Sequence, residues 1–171
     1  MDALKNLEGG ESIPYSEDRI RAFADEMLQG CIKFVKEKSD HPSYAFFLPG
    51  QRGKDGAENL GEVKIKGAFD SPDAHSNCLG FLRQYAEDTK AHAVVLVAMR
   101  DDIAYPQIWR QKEWEMGMVR GLFVQLDSAL VRKMWWVPTP KSSKVPLEPI
   151  PLDPTVFSIA PRIFRDMNAG M

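Results

Sequence analysis

Hydrophobic positions along this chain fall into a few rhythms. The one that organises the others is a nine-residue run, Ala91-His92-Ala93-Val94-Val95-Leu96-Val97-Ala98-Met99. No other stretch of that length is both free of formal charge and apolar at nearly every position. Nine residues is a strand length, and valines favour the extended state. Alternation sends Val95, Val97 and Met99 to one face and Val94, Leu96 and Ala98 to the other. The run therefore predicts an interior strand covered on both sides.

A helical rhythm comes first. Ile20, Phe23, Ala24, Met27, Leu28, Cys31, Phe34 and Val35 recur at three- and four-residue steps behind Ser16, a good N-cap, and end near Lys38. Residues 43–48 read as an aromatic strand stopped by Pro49-Gly50, and residues 51–61 as a polar, glycine-bearing loop. Over 62–69 the period is two: Val63, Ile65 and Phe69 point one way, Glu62, Lys64 and Lys66 the other. Ser71-Pro72-Asp73 starts a second helix, running to about Lys90, with Cys78, Leu79, Leu82, Tyr85 and Ala86 as its apolar stripe. Gly80 sits inside it, and a close backbone contact with the sheet would explain tolerating that residue. Helix and flanking strands form a β-α-β unit, with a right-handed crossover if the strands share a sheet.

After residue 99 the rhythm falters. Residues 103–120 scatter Tyr105-Pro106, Trp109 and Trp114 among charges and read as an excursion. Two β-rich runs, 121–126 and 129–137, then flank Asp127-Ser128, a hairpin signal. Beyond them seven of the twelve prolines crowd into residues 138–171, which reads as an extended arm ending in a short apolar patch. The expected fold is α+β in the order helix–β–β–helix–β–β–β. It comprises a mixed, mostly antiparallel five-stranded sheet, two main helices packed on it, and a proline-rich C-terminal arm. Residues 1–15 read as a flexible leader, 16–137 as one domain and 138–171 as the arm.

Composition narrows the function classes. With 44% hydrophobic residues the chain can bury a core, and no stretch approaches the length of a membrane span. A net charge of −2, from 22 basic and 24 acidic residues, argues against sequence-independent nucleic-acid binding by the whole surface. Cys31 and Cys78 fall at apolar helix positions and read as buried free thiols, in a reducing, cytoplasmic setting. His41 and His92 lie at element boundaries without metal-ligand spacing. Gly50, Gly53 and Gly56 lack the Lys-Ser/Thr ending of a P-loop.

Three groups of residues are candidates for chemistry or binding. Glu62-Val63-Lys64 places a carboxylate and an ammonium on one face of a strand, a pairing that can hold Mg²⁺ and steady an attacking water. The plainer account is that a half-exposed strand alternates charge with valine. Asp70, Asp73 and Asp101, with His75 and Asp102, would converge if the strands before 70 and 101 are parallel neighbours, and grouped carboxylates suit Mg²⁺ or Ca²⁺. Helix capping and strand ending explain the same residues. Trp135 and Trp136 are adjacent and so face opposite ways, which leaves one to meet the arm, the excursion or another chain.

The order helix, strand, Glu-x-Lys strand, helix, apolar strand resembles the metal-dependent nucleases of the PD-(D/E)xK type over residues 16–99. That resemblance implies Glu62 and Lys64 as catalytic residues with Asp55 as the further carboxylate, Mg²⁺ as cofactor and nucleic acid as substrate. The chain departs from the pattern: neither Asp55 nor Asp40 comes with the family's Pro-Asp pair, and Gln84-Tyr85 is wrongly spaced. Over residues 16–137 the chain also resembles small bacterial and phage α+β proteins of unassigned function, in which a capped helix feeds an Ala-x-Ala-Val-Val-Leu-Val-like strand. Here Met99-Arg100-Asp101-Asp102 replaces their Glu-Ala-Trp-like motif, and no catalytic residues come with the likeness. The resulting expectation is a non-enzymatic module that forms a homo-oligomer or binds a protein partner. Its interface would use Trp135, Trp136, Phe157, Ile159 and Phe164.

Overall fold

Two serines set where the helices begin in the computed structural model, which describes residues 11–103, 120–139, 147–155 and 158–164. The Ser16 hydroxyl accepts from the Arg19 amide at 3.2 Å and opens α1, Glu17–Lys38. The Ser71 hydroxyl accepts from the Ala74 amide at 3.1 Å and opens α2, Pro72–Asp88, with Pro72 in its first turn. Each cap satisfies an amide that the helix itself leaves without a partner. Glu17 and Asp18 at the start of α1, and Lys36 and Lys38 at its end, complement the helix dipole. Ser39 closes α1 with φ 63°, its amide donating to the Val35 carbonyl.

The strands are β1 (Tyr44–Leu48), β2 (Gly61–Lys64), β3 (Ala93–Met99), β4 (Gly121–Ser128), β5 (Arg132–Pro138) and β6 (Ile150–Leu152). They form one six-stranded sheet in the order β2-β1-β3-β4-β5-β6, and every neighbouring pair is antiparallel. The expected mixed, five-stranded sheet is thus corrected in two respects. β1 lies between β2 and β3 and runs against both, so the β-α-β unit is split. The sixth strand comes from the proline-rich arm, where Ile150, Pro151 and Leu152 pair with Trp136, Trp135 and Met134. β2 is also shorter than the alternation suggested. The chain leaves the sheet after Lys64 and turns through Gly67, at φ 80°. The final hairpin turns at residues 129–131, where the Ser128 hydroxyl accepts from the Val131 amide and donates to the Val131 carbonyl.

β3 is buried along its whole length. Val95, Val97 and Met99 meet α1 through side chains such as Phe23, Leu28 and Val35, while Val94, Leu96 and Ala98 meet α2 through Leu79 and Leu82. Burying a side chain of this size is worth about 1.5–3 kcal/mol, and the two apolar layers hold the sheet from both faces. Trp136 joins the α2 layer, fully buried with Phe123 at 4.5 Å, and Trp135 packs half-buried on the α1 layer. The arm completes the α2 layer with Ile159, Ala160 and Ile163.

Gly80 requires a correction as well. It is exposed on α2, with nothing within 4 Å of a Cβ placed there, so no close approach to the sheet accounts for it. Among the described residues, no helix is long and apolar enough to cross a membrane.

Candidate functional site

Among the described residues the sheet ends at β2 on one side and β6 on the other, and the sequence treats these two edges differently. The Thr139 amide donates to the Arg120 carbonyl, so residues 133, 135 and 137 of β5 turn their backbone groups to β4, and 134 and 136 turn theirs to β6. Pro151, opposite Trp135, therefore faces outward with no N–H to offer. That edge is three residues long and lacks its central donor, which is how natural sheets blunt an edge.

At the other edge, the Ile65 amide donates to the Ser43 carbonyl at 3.0 Å. The register pairs Ala45 with Val63 and Phe47 with Gly61, so Gly61, Val63 and Ile65 spend their backbone groups on β1. Glu62 and Lys64 then point their N–H and C=O groups away from the sheet, and both residues are exposed. Their side chains share the α1 face with their cross-strand partners Phe46 and Tyr44, whose rings stack at 5.5 Å.

On the opposite face, β2 and the turn after it form one wall of an open groove of about 320 Å³, and the first half of α2 forms the other. Val63, Ile65, Ala74, Cys78 and Phe81 line it with apolar atoms. Phe81 is 54% exposed and Leu60, just before β2, 40% exposed. Cys78 is half-buried here, whereas Cys31 lies inside the α1 layer, where burial pushes its thiol up to about 12. Both thiols are free.

The structure thus places Glu62 and Lys64 together on the outer strand, with Asp55 in the loop before it. Asp55 is exposed in the loop before β2 and closes its own turn, accepting from the Ala57 amide at 3.0 Å. The second group fares differently. Although β2 and β3 are not neighbours, both end at the same side of the sheet, and Asp70 and Asp101 come close enough to act on Asp102. Desolvation first, then the charges of Asp40, Asp101 and Asp70, raise its carboxyl above the ordinary range. Arg120 answers the cluster, lying 3.4 Å from Asp101 and 3.6 Å from Asp40. Asp73 is exposed in the first turn of α2. Among the described residues, no three His, Cys, Asp or Glu side chains are grouped so as to hold a metal ion.

Of the expected interface residues, Trp136 and Ile159 are fully buried within the chain and Phe164 packs half-buried on the same layer. Trp136 and Ile159 thus pack within the chain, whereas Phe164 keeps part of its surface open. Trp135 keeps a half-exposed ring with the Lys133 ammonium 6.0 Å from its centre. Phe157 lies outside the described residues.

Two polar networks are marked by no motif in the sequence. Arg19 reaches from α1 to the Pro49 carbonyl at 2.8 Å, to Glu58 and to His92 Nδ1 at 3.2 Å, pinning the loop before β2. Burial, then the Arg19 charge, lowers the proton affinity of His92. On β4, Asp127 is fully buried and accepts from the amides of Ile163 and Phe164, and Arg132 sits 3.7 Å from its other oxygen. Desolvation raises this carboxyl against the pull of those amides and of Arg132. No periodicity or motif marks either network, because the partners lie far apart in the chain. A polar pair, Gln125 and Asp127, inside an otherwise apolar strand was the available clue.

No family model, curated protein or solved structure matches this chain.

Proposed function

We propose that this protein is a non-enzymatic module that associates with copies of itself through the open β2 edge and the groove behind it. The observation that carries the reading is the contrast between the two edges. Both edge strands are short, three residues and four, but one has proline at its outward position while the other presents the backbone donors and acceptors of Glu62 and Lys64 beside an exposed apolar groove. The surroundings agree with a binding role. Several charged side chains among the described residues hold structure: Arg19 and Glu58 fix a loop, Arg120 lies against Asp101, and Asp127 grips the arm.

Lys64→Pro tests the reading. The Lys64 amide points outward, so proline there leaves the β1–β2 ladder intact while removing a donor from the free edge. The expected result is concentration-dependent association of the wild-type protein by sedimentation velocity, its loss in the variant, and an unchanged circular dichroism spectrum. A variant that associates like the wild type, or a wild-type protein monomeric at every concentration, overturns it.

A further inference from the structure

We infer that the second copy pairs with β2 about a two-fold axis through Val63, setting Glu62 of each chain opposite Lys64 of the other. The inference rests on self-association through the β2 edge and adds the register and the residues that fix it.

The backbone narrows the choice first. Only Glu62 and Lys64 within β2 face outward, so hydrogen-bonded pairs across the new seam must join these residues. A symmetric antiparallel pairing can then be centred on Glu62, Val63 or Lys64. Centring on Glu62 sets two carboxylates face to face, and centring on Lys64 sets two ammonium groups face to face. Like charges directly opposite each other in a sheet repel. Centring on Val63 instead makes both flanking pairs Glu–Lys, and each of those pairs exchanges its N–H and C=O groups across the seam. Two strands carrying Glu-Val-Lys are self-complementary in this register and in neither of the other two.

The opposite face agrees with that choice. Val63 and its counterpart form the pair without hydrogen bonds, where Cα atoms approach to about 4.5 Å. Both side chains stand over the groove, beside Cys78 and the exposed ring of Phe81. Pairing covers apolar surface that the single chain leaves wet, and the six-stranded sheet continues into that of its partner. The two ion pairs fix the register, and the apolar contact supplies the greater part of the attraction.

The test exploits the symmetry. Glu62→Lys gives a chain with two lysines at the seam and Lys64→Glu a chain with two glutamates. Each variant alone opposes like charges twice, and its dimer dissociation constant should rise about tenfold or more. Mixed together the two are complementary again, so a heterodimer of wild-type affinity should form. The double variant Glu62→Lys/Lys64→Glu should restore the homodimer. Single variants that dimerise as tightly as the wild type, or that fail to recombine, overturn the register while leaving the Lys64→Pro result to speak for the edge. A wild-type chain that never dimerises overturns both.

Discussion

The side chain of Gln125, fully buried on β4, holds the backbone of Ile159: its carbonyl oxygen accepts from the Ile159 amide at 2.6 Å. The same oxygen accepts from the Ala160 amide at 3.3 Å, and the Gln125 amide nitrogen donates to the Ala160 carbonyl at 3.0 Å. This grip, with that of Asp127 two residues on, fastens the arm across the α2 face. Gln125→Ala would strand two buried amides, each costing about 1–3 kcal/mol. Urea unfolding should show a loss of about 2–4 kcal/mol. A loss under 1 kcal/mol would contradict a stabilising role for this grip.

Glycines at different positions should respond in opposite ways to the same substitution. Gly30 and Gly80 sit on exposed helix surface, with nothing within 4 Å of an added Cβ. Alanine there should stabilise the protein by about 0.5–1 kcal/mol each, through helix propensity alone. At Gly121 a Cβ would stand 2.3 Å from Cη2 of the buried Trp136 ring. Gly121→Ala should cost about 1–3 kcal/mol, as overpacking does. Thermal melts of the three variants check both signs together.

Acid should destabilise the fold through its histidines. Desolvation is the first cause lowering the pKa of His41, His75 and His92, so each binds a proton more readily unfolded than folded. Below the ordinary histidine value near 6.5 the unfolded chain takes up protons that the folded chain refuses, and stability falls as pH drops. Asp102 and Asp127, whose values are raised, act with the opposite sign above the ordinary carboxylate range and blunt the loss at the acid end. Urea midpoints should therefore be lower at pH 5.5 than at pH 7.5; equal or reversed midpoints contradict this account.

Cys78 offers a chemical readout of the groove. Its thiol is half-buried and burial raises its pKa, so alkylation of the native chain should be slow yet measurable. Pairing of two β2 edges covers the groove, so the rate per molecule should fall as protein concentration rises. Cys31 should react only on unfolding. A Cys78 rate independent of concentration would place the seam elsewhere.

Local patterns carried the elements, and chain-distant contacts carried what the sequence hid. Ser16 and Ser71 announced their helices because a cap is decided within three residues, and residues 91–99 announced a two-sided strand because burial is written in its alternation. The sixth strand was not legible. Ile150-Pro151-Leu152 has little strand propensity of its own and is ordered by pairing with Met134 and Trp136. The same limit applies to the site. Glu62-Val63-Lys64 stood out as a charged alternation, but which of its backbone groups are free depends on the register with β1, which the Ile65–Ser43 hydrogen bond fixes. The short strand ending at Lys64 was hidden as well, because Gly67 breaks a pattern that hydropathy alone continues to Phe69.

Residue-resolved hydrogen exchange of the β2 amides at low and high protein concentration tests the central claim most directly. Val63 and Ile65 donate to β1 and should be protected at both concentrations. Glu62 and Lys64 should exchange freely in the dilute protein and become protected in the concentrated one. Glu62 and Lys64 amides that exchange at the same fast rate at both concentrations would contradict pairing through this edge.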